Sequence, residues 1–176
     1  ARMARAGFAV PGGFLVTADA YRKFVSDNNL QSEILEKARP RLKDGYPAFD
    51  ACSEEISAII LGASMASDIL EEIKATYNAL GDGQCPVAVR SSANAEDLPE
   101  FSFAGQQETF LNVRGPDQVA EAVRKCWASL WSAQAISYRH QNGIDQGSVA
   151  MAVVVQVMVP SDVSGILFTA NPATGE

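Results

Sequence analysis

The run VAMAVVVQVMV at residues 149–159 constrains the fold more than any other stretch of the sequence. β-Branched side chains favour extended backbone, and a continuous apolar run is typical of a strand that is buried on both faces. A second run, at 163–170, is predicted to be a strand that pairs with the first across the turn at 160–162. The two runs predict a β-sheet in the C-terminal part of the chain.

Helical periodicity dominates the chain before residue 82, and strands alternate with helices after residue 86. Further strands are predicted at 14–17, 87–90 and 108–113. Helices are predicted at 17–28, 30–38, 52–63, 67–80, 116–131 and 132–141. Turns are predicted at 44–47 and 81–83. The predicted fold class is α+β: a mixed sheet with flanking helices, in which a helical segment at about 17–82 precedes an α/β segment at about 86–176.

The charge balance excludes some classes of partner. The formal net charge is −7, which argues against a nucleic-acid or anionic-membrane binder because either needs a basic face. No apolar run approaches the roughly 20 residues that span a bilayer, and no signal-peptide pattern is present. Three cysteines without a C-x-x-C pair predict reduced thiols in a cytoplasmic protein. The first residue is not Met and the last six are turn-rich, so we expect a portion of a longer protein.

The residues between the strand at 87–90 and the strand at 108–113 form the most unusual part of the sequence. Arg90 ends the first of these strands, and a guanidinium at a strand end beside a long polar loop is well placed to bind a phosphate. Gly105 allows backbone to approach a ligand closely. The alternative is an ordinary surface loop in which Arg90 pairs with Glu96 or Asp97.

Gln156 is the second unusual residue, because it interrupts the apolar run at 149–159. A buried amide without a hydrogen bond costs about 1–3 kcal/mol, so some group must satisfy it. Small or flexible residues share its face and leave room for a flat ring. In the alternative, Gln156 bonds to neighbouring backbone or faces solvent.

Other signals for chemistry are weak. His140 is the only histidine and has no second metal-binding residue near it in the sequence, which favours a solvated surface position. The chain lacks the glycine-rich P-loop and Rossmann patterns. No metal ligand is predicted within it.

Four motifs carry a resemblance to a known family. They are VAVRSSANAEDLP at 87–99, SFAGQQETFLNV at 102–113, GFAVPGGF at 7–14 and SGILFTANPATGE at 164–176. In order and spacing they resemble the N-terminal ATP-binding domain of phosphoenolpyruvate synthase, which also occurs in pyruvate phosphate dikinase and rifampin phosphotransferase. Pyruvate phosphate dikinase has a methionine-containing glycine loop, whereas this chain has SFAGQQ at 102–107. The chain therefore resembles the synthase-like branch more closely.

The resemblance implies an ATP-grasp-like fold, of which this chain holds the first portion. It implies ATP and Mg²⁺ as cofactors, and a phosphohistidine domain of the same parent chain as partner. The parent would pass the phosphoryl group to pyruvate, forming phosphoenolpyruvate, or to another small acceptor. A non-catalytic nucleotide-binding or regulatory module that retains the fold is the alternative.

The resemblance also assigns roles to single residues. Arg90 is the catalytic candidate and holds the ATP phosphates. Gly105, Gln106 and Thr109 belong to a loop that closes over the β- and γ-phosphates. Gln156 bonds the adenine amino group, while backbone near Met158 contacts the ring edge. The family's phosphate-binding lysine and its metal ligands are expected outside residues 1–176, so we expect the fragment alone to be inactive.

Overall fold

A computed structural model describes residues 2–93, 108–165 and 167–171. The helices in these ranges are α1 (Arg2–Arg5), α2 (Ala18–Asp27), α3 (Gln31–Lys37), α4 (Asp50–Gly62), α5 (Ser67–Asn78), α6 (Pro116–Ser129) and α7 (Ala133–Gln141), with a 3₁₀ turn at Gln146–Ser148. The strands are β1 (Gly13–Val16), β2 (Arg41–Lys43), β3 (Tyr46–Ala48), β4 (Val87–Ala93), β5 (Thr109–Val113) and β6 (Met151–Val157). The α+β class is confirmed. None of the helices in the described ranges is long and apolar enough to cross a membrane.

The main sheet has the strand order β1-β6-β4-β5. Every neighbouring pair in it is antiparallel, so the prediction of a mixed sheet was wrong. The physical reason lies in β6, which enters between β1 and β4 and runs opposite to both. As the sequence predicted, the valine-rich run is an inner strand, although it is shorter than the run itself.

The predicted strand at 163–170 was also wrong, because the described residues of this stretch have no strand structure. Strand β6 already pairs with β1 along one edge and with β4 along the other, so no edge is left for a hairpin partner. Apolar side chains in this stretch are therefore exposed, with Val163 at 87% and Leu167 at 90%.

A small hairpin was missed in the sequence. Strands β2 and β3 pair around a two-residue turn formed by Asp44 (φ 52°) and Gly45 (φ 84°). Positive φ at both positions is the hairpin turn that Asp-Gly favours, so the dipeptide was the available signal. The sequence reading predicted only the turn.

The core lies between one face of the sheet and the helices. The predicted stripe of α6 is buried, and its central residue Trp127 contacts the ring of Phe24 with centroids 5.0 Å apart. Just after α6, the Trp131 indole N–H donates to the Tyr21 hydroxyl at 2.9 Å. The helices of the N-terminal half are thereby joined to the C-terminal half in one core.

Strand β1 lies so close to β6 that Gly13 has no room for a side chain. A Cβ on Gly13 would meet the Gln156 Cα at 2.9 Å and the Val155 carbonyl oxygen closer still. Both obstacles are backbone, so one strand must move. We expect Gly13→Ala to lower the free energy of unfolding by about 1–3 kcal/mol, measured by urea denaturation.

The neighbouring glycine provides the control. A Cβ on Gly12 meets nothing within 4 Å, so Gly12→Ala should leave the urea midpoint nearly unchanged. Equal midpoints for the two variants would contradict the close approach of β1 to β6.

Candidate functional site

The main sheet has one buried face and one open face. Along β6 the side chains of Met151, Val153 and Val155 are buried, while the alternate residues Val154 and Gln156 are half-buried. This alternation follows from the two-residue period of a strand. The open face is therefore the side that can accept a ligand.

Three residues that the sequence singled out lie on this open face. Arg90 is the cross-strand partner of Thr109 on β5 and of Val154 on β6, and Val154 lies two residues from Gln156. Directly opposed residues have Cβ atoms about 4.5–5.5 Å apart, and diagonal neighbours have Cα atoms about 7–8 Å apart. The site therefore crosses three adjacent strands, a width of about 10 Å at the usual strand spacing.

Small residues flank Gln156 on both sides. Its cross-strand partners are Gly13 on β1 and Ala88 on β4. Gly13 is exposed, whereas Ala88 is buried, so the open surface beside the half-buried amide lies on the β1 side. Sequence reasoning missed both residues because only the register of the sheet makes them neighbours of Gln156.

The Arg90 guanidinium is exposed. Among the described residues, no carboxylate lies within ion-pairing distance of it. The alternative partners Glu96 and Asp97 lie outside the described residues. An exposed cation in a chain of net charge −7 provides a local attraction for an anionic ligand.

The ends of β4 and β5 are held together next to Arg90. Both the backbone N–H and the hydroxyl of Ser91 donate to the Glu108 carbonyl, at 3.5 Å and 3.2 Å. Thr109 is exposed at the start of β5. Gly105 and Gln106, which the resemblance assigns to the phosphate loop, lie outside the described residues.

The side chain of Gln156 has one weak partner in the described part of the protein. Its Nε2 donates to the Pro11 carbonyl at 3.5 Å, the long limit of a hydrogen bond. Among the described residues, this long contact is the only bond from backbone to the Gln156 side chain, so neighbouring backbone satisfies the amide only weakly. No described donor bonds its Oε1, which can therefore accept from a ligand.

Backbone at the end of β6 is more firmly held. The Met158 N–H donates to the Pro86 carbonyl at 2.9 Å, and the preceding N–H, of Val157, donates to the Gly12 carbonyl at 2.9 Å. Met158 itself is half-buried. The group that it can offer to a ligand is therefore its carbonyl oxygen rather than its N–H.

His140 is exposed and packs against the ring of Phe49, with centroids 5.5 Å apart. This agrees with the predicted surface position. Within 2–93, 108–165 and 167–171, no group of three or more His, Cys, Asp or Glu residues is arranged to hold a metal ion.

Comparison with known proteins identifies the family. The profile described as "Pyruvate phosphate dikinase, AMP/ATP-binding domain" matches residues 1–176. A probable phosphoenolpyruvate synthase of Methanothermobacter thermautotrophicus is 47% identical over 99% of this chain and 26% of its own length. The phosphoenolpyruvate synthase of Aeropyrum pernix is 45% identical over 99% of the chain and 22% of its own length. A rifampicin phosphotransferase of Streptomyces sviceus is 44% identical over 96% of the chain and 19% of its own length.

A comparison of Gln146 with Gln156 tests whether the Gln156 side chain stabilises the fold or is available to a ligand. Gln146 accepts from the buried Arg139 Nε at 2.6 Å and donates to the Ile136 carbonyl at 3.0 Å. Gln146→Leu removes the acceptor of the buried Arg139 Nε, so we expect it to lower the free energy of unfolding by about 3 kcal/mol. Gln156→Leu removes only a long contact and should change it by less than about 0.5 kcal/mol. Urea denaturation measures both, and equal losses would show that Gln156 is structural.

Proposed function

The chain belongs to the pyruvate phosphate dikinase AMP/ATP-binding domain family, and we propose that it is the first portion of the nucleotide-binding domain of a multidomain phosphotransferase. It spans about a quarter of the length of the two synthase relatives and about a fifth of the length of the phosphotransferase. We assign the phosphohistidine domain, the acceptor site and the Mg²⁺ ligands to the remainder of the parent protein. Residues 1–176 would supply part of an ATP-grasp-like site.

One observation carries this proposal: Arg90, Thr109 and Gln156 lie in register on the open face of one antiparallel sheet. The cation that we assign to the phosphates and the amide that we assign to the base thus lie on adjacent strands. Gly13, the exposed neighbour of Gln156 on β1, has no side chain and so leaves space for the ring.

The roles of the residues follow from their chemistry. Arg90 neutralises and positions the phosphates, which suits phosphoryl transfer because that reaction depends on positioning and electrostatic stabilisation. Thr109, with Gly105 and Gln106, contacts the β- and γ-phosphates. Gln156 Oε1 and the Met158 carbonyl accept from the adenine amino group.

In the parent protein, ATP would phosphorylate a histidine on a separate domain, and that domain would carry the phosphoryl group to the acceptor. With pyruvate as acceptor, the overall reaction converts ATP, pyruvate and water to AMP, phosphoenolpyruvate and phosphate. The family description, which names both AMP and ATP, supports this pair of nucleotides. The names of the relatives support either pyruvate or an antibiotic as acceptor.

The two ends of the site can be tested separately. Arg90→Ala should weaken both ATP and inorganic tripolyphosphate about 10- to 100-fold, because a charged hydrogen bond is worth about 1.5–3 kcal/mol. Gln156→Ala should weaken ATP about 3- to 10-fold and leave tripolyphosphate unchanged. Isothermal titration calorimetry on the complete gene product measures these affinities.

Arg22→Ala is the matched control, since Arg22 is an exposed cation on α2 that pairs with Asp19. It should change neither affinity. Unchanged ATP affinity in both the Arg90 and the Gln156 variants would refute the assigned site.

A second expectation concerns residues 1–176 alone. They match only about a quarter of the two synthase relatives described above, so they should release little AMP from ATP. Chromatographic measurement of AMP with purified residues 1–176 checks this, with the complete gene product as positive control. Turnover by the short chain at a comparable rate would place the whole reaction within it.

A further inference from the structure

Three successive carbonyl oxygens just before β4 are each held by a donor from a different part of the chain. The Gln84 carbonyl accepts from Arg114 Nη1 at 3.0 Å. The Cys85 carbonyl accepts from the Tyr77 hydroxyl at 2.8 Å. The Pro86 carbonyl accepts from the Met158 N–H at 2.9 Å. We refer to residues 84–86 as the entry segment, because they lead into the strand that carries Arg90.

Tyr77 is the centre of this arrangement. Its side chain is fully buried at the end of α5. While its hydroxyl donates to Cys85, the oxygen accepts from the Gly115 N–H at 2.8 Å. One buried hydroxyl therefore joins the end of α5, the entry segment and the turn that begins α6.

The entry segment determines which groups the end of β6 can present. Because Pro86 occupies the Met158 N–H, the group that Met158 presents is a carbonyl acceptor. Gln156 also presents an acceptor, since its Nε2 faces the Pro11 carbonyl. Two acceptors complement the 6-amino group of adenine, whereas the 6-oxo group of hypoxanthine or guanine would meet them with its own lone pairs.

We infer that Tyr77 and Arg114 are positioning residues for base selection, which hold the entry segment so that Pro86 retains the Met158 N–H. The inference rests on the proposed function and adds the origin of its preference for a 6-aminopurine. Tyr77 is fully buried and Arg114 is bonded to the Gln84 carbonyl, so we assign neither residue a contact with the nucleotide. Their effect reaches the base through the backbone of the entry segment.

Removing the hydrogen bond from Tyr77 to the entry segment should change the selectivity between ATP and ITP rather than the affinity for nucleotides in general. Tyr77→Phe leaves the Cys85 carbonyl and the Gly115 N–H without a partner, and the entry segment must shift to reach other donors. Once it shifts, the Met158 N–H is released and can donate to a 6-oxo group. The preference for ATP over ITP should then fall, while the phosphate contacts of Arg90 remain.

The experiment measures dissociation constants for ATP, ITP and inorganic tripolyphosphate with the complete gene product. We expect the ITP-to-ATP ratio of dissociation constants to fall about five-fold in Tyr77→Phe, the effect of one ordinary hydrogen bond. Arg114→Gln should lower it about two-fold. Tripolyphosphate affinity should be unchanged in both variants, which a general loss of structure would not produce.

Tyr21→Phe is the matched control. Tyr21 is another buried tyrosine with a bonded hydroxyl, but its partner is Trp131 and it makes no bond to the entry segment. It should lose stability and keep the wild-type ratio. Arg114 is exposed, so its variant keeps the test decisive should Tyr77→Phe fail to fold.

The outcomes distinguish the two proposals. Wild-type protein that prefers ATP, together with Tyr77 and Arg114 variants that keep the wild-type ratio, overturns the positioning role and leaves the proposed function intact. Equal affinities of the wild-type protein for ITP and ATP would overturn the inferred preference for a 6-aminopurine. Wild-type protein that binds neither nucleotide refutes the proposed function and this inference with it.

Discussion

The pairing of β6 with two strands at once is the interaction on which the site depends. Seven residues of β4 and four of β1 pair with β6. In an antiparallel sheet, a slip of one residue moves every side chain of a strand to the other face. Such a slip in β6 would bury Gln156 and expose Val155, which is now fully buried. The core therefore fixes the register, and the register brings Arg90 and Gln156 to one face.

Two arginines, Arg139 and Arg90, lie in opposite environments, the first buried and the second exposed. Arg139 is buried, donates to Gln146 and to the Leu130 carbonyl, and lies 5.1 Å from the centre of the Trp131 ring. Burial lowers the pKa of Arg139 to about 10. Arg90, in contrast, is exposed on the open face. Since burying a cation is costly, Arg139 needs these partners within the core, while Arg90 is the cation that we propose for an external anion.

Local sequence patterns were sufficient for most helices and for the inner strand. The stripe from Val119 to Trp127 and the valines of β6 are patterns that one element carries by itself, and both are found as predicted. Features that depend on the pairing of strands far apart in the sequence could not be predicted from local patterns. The predicted strand at 163–170 failed because β1, about 150 residues earlier, takes the edge of β6 that a hairpin partner would need. The sequence identified Gln156 and Arg90 as unusual residues. It could not identify Gly13 and Ala88 as the neighbours of Gln156, because that depends on the pairing of distant strands.

The two ends of the site are built with different rigidity. At the proposed base end, the N–H groups of Val157 and Met158 donate to carbonyls that precede β1 and β4, so the backbone is fixed by bonds within the described chain. At the proposed phosphate end, the described residues contribute an exposed guanidinium and an exposed threonine. Groups that are already bonded cannot rearrange without loss, whereas unbonded polar groups can follow a ligand as its charge changes. In the proposed function, base selection therefore falls to the bonded end, and phosphoryl transfer, in which charge moves during the reaction, falls to the open end.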